Sequence, residues 1–201
     1  MLKVAITGNI CTGKTSVSEI FRETGIPVVS CDELVRGLQN PGNVIWARIR
    51  QNWQDIYFNS DLTLNREKIT SVILEDPGFK LRLEEISHPL VRQEVEKIFR
   101  VWEQEGIAIA ACEVPLLYEA GWDILFDKVV LTYVAREVQV ERIIEKKRVD
   151  LKTAEKWLNI QDPPEGKKAR ADLVIDTGTE IKETKIVVEK FIEELQGGNN
   201  R

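Results

Sequence analysis

The stretch GNICTGKTS, residues 8–16, follows the apolar run LKVAI and constrains this chain more than any other segment. Gly8, four intervening residues and then Gly13-Lys14-Thr15 have the spacing of a phosphate-binding loop. Each residue type is needed. Glycine allows close approach and unusual backbone angles, so successive N–H groups can point inward at phosphate oxygens. A helix starting near Lys14 adds its positive end, the ammonium reaches the outer phosphates, and the Thr15 hydroxyl is placed to ligate Mg²⁺. At ordinary residue usage a chance match somewhere in such a chain is on the order of 1%, and the setting between strand and helix makes it rarer. Gly8, Asn9, Ile10, Cys11, Thr12, Gly13, Lys14, Thr15 and Ser16 are the expected nucleotide contacts.

A strand feeding such a loop belongs to an α/β sheet, and the rest of the chain fits one. Apolar runs recur at KVAIT (3–7), IPVVS (26–30), IAIAAC (107–112), KVVLTYV (128–134) and DLVID (172–176). Several do not alternate, as expected of parallel strands covered on both faces. Helical patterns lie between them: SVSEIFRET ends at Gly25, VQVERIIEKK puts Val140, Ile143 and Ile144 on one face, and IKETKIVVEKFIEEL precedes a polar, frayed tail, QGGNNR. A parallel sheet of about five strands with flanking helices follows.

Residues 33–105 contain no convincing core strand and read as a helical insertion. Within it a helix is expected to break near His88-Pro89, because proline disfavours helical geometry in its predecessor. A buried stripe of Val91, Val95, Ile98 and Trp102 is expected to follow. The segment DPPEGKKARA (162–171) reads as a mobile basic loop. All 201 residues are read as one domain, with the insertion at 33–105 serving an acceptor and a lid at 146–170.

Composition narrows the class. The net charge of −5 gives no basic field of the kind that marks nucleic-acid binders. No run approaches the roughly 18 apolar residues that span a bilayer, and the N-terminus lacks a basic, cleavable leader, so a soluble cytoplasmic protein is expected. Cys11, Cys31 and Cys112 form an odd set without paired spacing and read as reduced thiols, small packing groups near strand ends.

In open α/β sheets ligands sit beyond the carboxyl ends of the strands. Asp32, after the second run, is either a carboxylate that receives the proton of an acceptor hydroxyl or the cap of a helix beginning at Glu33. Glu113, after the third, either places Mg²⁺ or pairs with a neighbouring cation. Glu119 reads as structural or as a surface residue. Gln139, Arg142 and Lys146 share one helix face, suited to phosphates or to solvent. Lys167, Lys168 and Arg170 could close over a triphosphate, and His88 either satisfies local backbone or meets the acceptor. No Asn-Lys-x-Asp guanine-reading signature is present. Small size, a helical insertion and a late basic segment suggest a compact phosphotransferase; a kinase for another small acceptor, such as a nucleoside monophosphate, and a slowly hydrolysing nucleotide switch are the alternatives.

Taken together, VAITGNICTGKTSV, IPVVSCDELVR, ISHPLVRQEV, EVPLLYE and ADLVID resemble the dephospho-coenzyme A kinase family, in its order and close to its spacing over nearly the whole chain. The resemblance implies Mg²⁺-dependent transfer of a phosphoryl group from ATP to the 3′-hydroxyl of dephospho-CoA. It implies Asp32, Lys14 and Arg142 as catalytic groups, Thr15 and Glu113 around the metal, and His88, Pro115 and Leu116 on the acceptor side. The sequence departs from the family where Ser30 replaces the first carboxylate of an Asp-Ala-Asp element, and where Lys146 and Lys167 stand at lid positions usually held by arginine. Lysine keeps the charge but loses the planar fork that grips phosphate in two places.

Overall fold

The computed structural model describes residues 1–198. The first strand, β1 (Leu2–Gly8), carries Val4, Ala5 and Ile6 with no exposed surface, which is why its sequence is apolar without alternation. It lies at the centre of the sheet. On one side it pairs in parallel with β3 (Ile109–Glu113), and on the other with β4 (Lys128–Tyr133), which in turn pairs in parallel with β5 (Leu173–Asp176). With β2 (Val28–Ser30) at the far edge, the order is β2-β3-β1-β4-β5. The five expected runs are the five strands.

The chain divides into two compact units. The first comprises Met1–Val29 and the chain from Trp102 onward. Its main core joins the sheet residues Val4, Ile6, Ala111 and Val130 to Val17, Ile20 and Phe21 of α1 (Lys14–Glu23) and to Val188, Ile192 and Leu195 of α9 (Ile181–Gly198). Burying one side chain of this size contributes about 1.5–3 kcal/mol. A second cluster centres on Ile143 of α6 (Arg136–Lys147) with Ala154 and Leu158 of α7 (Leu151–Asn159), and Ile10 and Cys11 pack against it. The phosphate loop is therefore anchored in apolar contacts as well as in hydrogen bonds.

The second unit, Ser30–Val101, holds α2 (Cys31–Leu38), α3 (Val44–Trp53), α4 (Arg66–Ile73) and most of α5 (Pro77–Gln104). Past Ser30, which ends β2, it holds an isolated bridge between Phe58 and Leu64. Aromatic rings supply much of its packing: Phe79 lies 4.9 Å from both Trp53 and Tyr57, centroid to centroid.

Five expectations need correction. Helix α5 does not break at His88-Pro89; it continues through Pro89 to Gln104. Proline removes one i to i−4 hydrogen bond, but the apolar face continues past it and outweighs the local preference. The buried residues of that face are Val91, Val95 and Phe99, at four-residue spacing, whereas Ile98 and Trp102 are half-buried. Helix α2 begins at Cys31, not Glu33, and its cap is Ser30, whose hydroxyl accepts from the Glu33 N–H at 3.4 Å. The segment read as a basic loop contains a short helix, α8 (Pro164–Lys168). The tail read as frayed from Gln196 is helical as far as Gly198, and residues 199–201 lie outside the described residues. Among the described residues no helix is long and apolar enough to cross a membrane.

Candidate phosphate-binding site

The loop leaves β1 through a glycine that nothing else can replace. Gly8 has φ +150, and a Cβ built on it would lie 2.3 Å from Thr132 Oγ1, 2.5 Å from the Thr132 carbonyl oxygen and 2.6 Å from Thr12 Oγ1. Gly13, at φ +85, enters α1 in left-handed geometry. Between them Cys11 adopts φ 58, a conformation that costs a side-chain-bearing residue energy and persists only when its surroundings fix it.

Hydroxyls at the ends of β4 and β5 hold the floor of the loop. Thr12 Oγ1 donates to the Asn9 carbonyl at 2.8 Å and lies 2.8 Å from Thr132 Oγ1. Thr177 Oγ1, just past β5, donates to the Thr12 carbonyl at 2.9 Å. The side of the loop is held by Gln139, 6% exposed on α6, which donates to the Ile10 carbonyl at 2.7 Å. Sequence reasoning missed Thr132 and Thr177. For Thr177 the available signal was a polar residue just past an apolar run, the same signal that picked out Glu113; Thr132 lies inside the run KVVLTYV and left none.

Lys14 curls back over the loop, donating to the carbonyls of Gly8 and Asn9 at 3.0 Å each. The N-terminus of α1 has no side-chain cap, so its first N–H groups are left for an external acceptor, and the helix end is positive. Together these donors suit a polyphosphate.

Glu113 ends β3 and is 5% exposed. Its partners are hydroxyls: Ser18 Oγ donates to Oε2 at 2.9 Å and Thr15 Oγ1 to Oε1 at 3.3 Å. Among the described residues no group of three or more His, Cys, Asp or Glu side chains could hold a metal alone. One hydroxyl beside one carboxylate fits Mg²⁺, which takes few protein oxygens and draws its other ligands from water and substrate phosphates.

The remaining candidates fall into separate settings. Arg142 donates from Nη1 to Thr177 Oγ1 at 3.2 Å and from Nη2 to the Thr177 carbonyl at 2.7 Å, so it braces the residue that braces the loop. Lys146, on the same helix, is exposed. Lys167 is 3% exposed and donates to Asn9 Oδ1 at 2.7 Å and to Glu119 Oε1 at 2.5 Å. Lys168 lies 3.2 Å from the Tyr133 ring centroid, and Arg170 covers the Tyr118 ring while pairing with Asp123 at 2.6 Å. Pro115 and Leu116 are half-buried after β3. In the second unit Asp32 is exposed in the first turn of α2, one residue past the buried Cys31, so it is not the helix cap. His88 lies half-buried on α5, where burial lowers its pKa, Glu84 opposing and Lys80 reinforcing the shift.

The CoaE, dephospho-CoA kinase, family model matches residues 2–183. The chain belongs to the dephospho-CoA kinase family. Among its relatives, the dephospho-CoA kinase of Syntrophotalea carbinolica is 34% identical over 198 residues, covering 98% of this chain and 94% of that one. That of Anaeromyxobacter dehalogenans is 32% identical over 201 residues, covering 100% and 95%. In fold, this dephospho-CoA kinase family member is similar to a Thermus thermophilus protein, with TM-score 0.80 at 23% identity over 96% of this chain and 97% of that one. It is also similar to the dephospho-CoA kinase from Campylobacter jejuni, with TM-score 0.67 at 22% identity over 98% of each chain.

Proposed function

We propose that this protein transfers the γ-phosphoryl group of ATP to the 3′-hydroxyl of dephospho-CoA, giving CoA and ADP, as a soluble cytoplasmic enzyme of coenzyme A synthesis. The observation that carries the reading is a loop with Gly8, Lys14 and the uncapped start of α1 in place, within a chain matched to one kinase family over residues 2–183. In phosphoryl transfer the protein acts mainly by positioning and by stabilising charge.

The loop N–H groups and the Lys14 ammonium hold the outer phosphates, Lys14 exchanging its two carbonyl partners for phosphate oxygens. Thr15 and Glu113 would hold Mg²⁺, which when bound neutralises charge on the phosphate oxygens. Asp32 receives the proton of the attacking hydroxyl as the new O–P bond forms and the bond to the ADP oxygen breaks. Arg142, with two of its five N–H donors on Thr177, directs the others to the transferring group. The Ser30–Val101 unit, with His88, and the turn holding Pro115 and Leu116 take the acceptor. Lys167, and Lys146 if the lid moves it inward, serve the phosphates from residues 146–170.

A coupled ADP-release assay with ATP, Mg²⁺ and dephospho-CoA tests the reading against nucleoside monophosphate acceptors. ADP release stimulated by dephospho-CoA alone supports it. Stimulation by a nucleoside monophosphate instead, or slow ATP hydrolysis indifferent to any acceptor, overturns it.

A further inference from the structure

Asn9 is 6% exposed, and both ends of its amide are engaged. Its Oδ1 accepts from Lys167 Nζ at 2.7 Å, and its Nδ2 donates to the Asp162 carbonyl at 3.0 Å. The next residue adds a third tie, the Ile10 N–H donating to Gln161 Oε1 at 2.7 Å. Two adjacent loop residues thus hold both ends of the stretch 161–167.

That stretch has little to order it from within. Helix α8 has five residues and follows Asp162-Pro163, and a helix this short is unstable alone. Its geometry must come from outside. Lys167 needs such support most, because an ammonium with 3% exposure requires acceptors close by, and it has Asn9 and Glu119.

We propose that Asn9 is a positioning residue that pins residues 161–167 to the phosphate loop, holding the Lys167 ammonium at the loop before any nucleotide arrives. Of the three donors on that ammonium, Asn9 and Glu119 take two, leaving one for an incoming phosphate oxygen. Glu119 keeps the charge neutralised meanwhile. The consequence for ATP rests on the function proposed above; the pinning does not.

The test uses the full chain and three variants, Asn9→Ala, Lys167→Met and the double substitution. Hydrogen–deuterium exchange is read without ligand, and ATP affinity is read by calorimetry with Mg²⁺. In Asn9→Ala the amides of 161–168 should exchange about tenfold faster while β1, β3 and α9 keep their rates, the pattern of a local opening. ATP should bind roughly tenfold more weakly to Asn9→Ala, and adding Lys167→Met should cost little more, because residues that act as one unit are not additive. Unchanged exchange at 161–168, or equal acceleration across the sheet, overturns the pin. Additive affinity losses overturn the action through Lys167. A wild-type chain that binds no ATP overturns the nucleotide half together with the proposed function, and the exchange measurement still decides the pin.

Discussion

Replacing Gly8 with alanine should damage this protein more than any comparable change at another glycine in a turn. The positive φ costs an L side chain about 1–2 kcal/mol wherever it occurs. At Gly8 the new methyl would also meet three oxygens at 2.3–2.6 Å, where carbon and oxygen ordinarily keep about 3.3 Å apart. Overpacking of this kind costs typically about 1–3 kcal/mol. The upper part of that range applies, because the Thr132 carbonyl is fixed by the pairing of β4 with β1 and cannot swing aside. Gly8→Ala should therefore lose about 3–5 kcal/mol in all. Gly25→Ala is the control: φ is +82, nothing lies within 4 Å of its new methyl, and only the backbone cost remains. Urea unfolding followed by far-ultraviolet circular dichroism compares the two at equal m-value. Adding Thr132→Ala should recover only part of the Gly8→Ala loss, since the backbone oxygen at 2.5 Å stays. Equal midpoints for Gly8→Ala and Gly25→Ala would refute the reasoning.

Lys14→Ala should lower turnover roughly a hundredfold or more with the circular dichroism spectrum unchanged, as loss of one charge-stabilising donor does elsewhere; retained activity counts against the site. Asp32→Asn should reduce kcat far more than it weakens ATP binding, measured by steady-state kinetics beside calorimetry, and equal losses would point to a structural role. Glu113→Gln should raise the Mg²⁺ concentration for half-maximal rate about tenfold or more, and an unchanged Mg²⁺ titration would remove Glu113 from the metal's surroundings. Burial holds His88 below its ordinary pKa of 6.5, so the unfolded chain takes up this proton first as pH falls. Its contribution to stability is therefore whole above that value and lost progressively as pH drops through the window below it. His88→Gln should flatten the urea midpoint between about pH 7 and pH 5, and an unaltered slope would exclude this origin.

The sheet was legible because its strands are covered on both faces, and covering leaves a local trace: apolar runs such as KVAIT and KVVLTYV do not alternate. The loop was legible because its chemistry is confined to nine consecutive residues. Pro89 misled because its effect on the chain is local, whereas the face of α5 that overrides it extends across Val91, Val95 and Phe99. Asp32 and Ser30 are both good helix caps, and only the backbone shows that Ser30 holds the position. The burial of Lys167 left no local trace at all: its partners Asn9 and Glu119 stand 158 and 48 residues away along the chain. Arg142 and Thr177 were hidden in the same way, 35 residues apart.

Position in the sheet also bears on how the protein is made. The ribosome delivers β1 and its loop before either strand that flanks β1, and Thr12 receives its hydrogen bond from Thr177, 165 residues later. At ordinary elongation rates that gap lasts on the order of ten to thirty seconds, and for the larger part of it the apolar β1 waits without β3 and β4. A stalled or truncated product ending before Thr177 would carry the whole motif and lack the Thr177 brace on Thr12, so firm nucleotide capture should await synthesis of that residue.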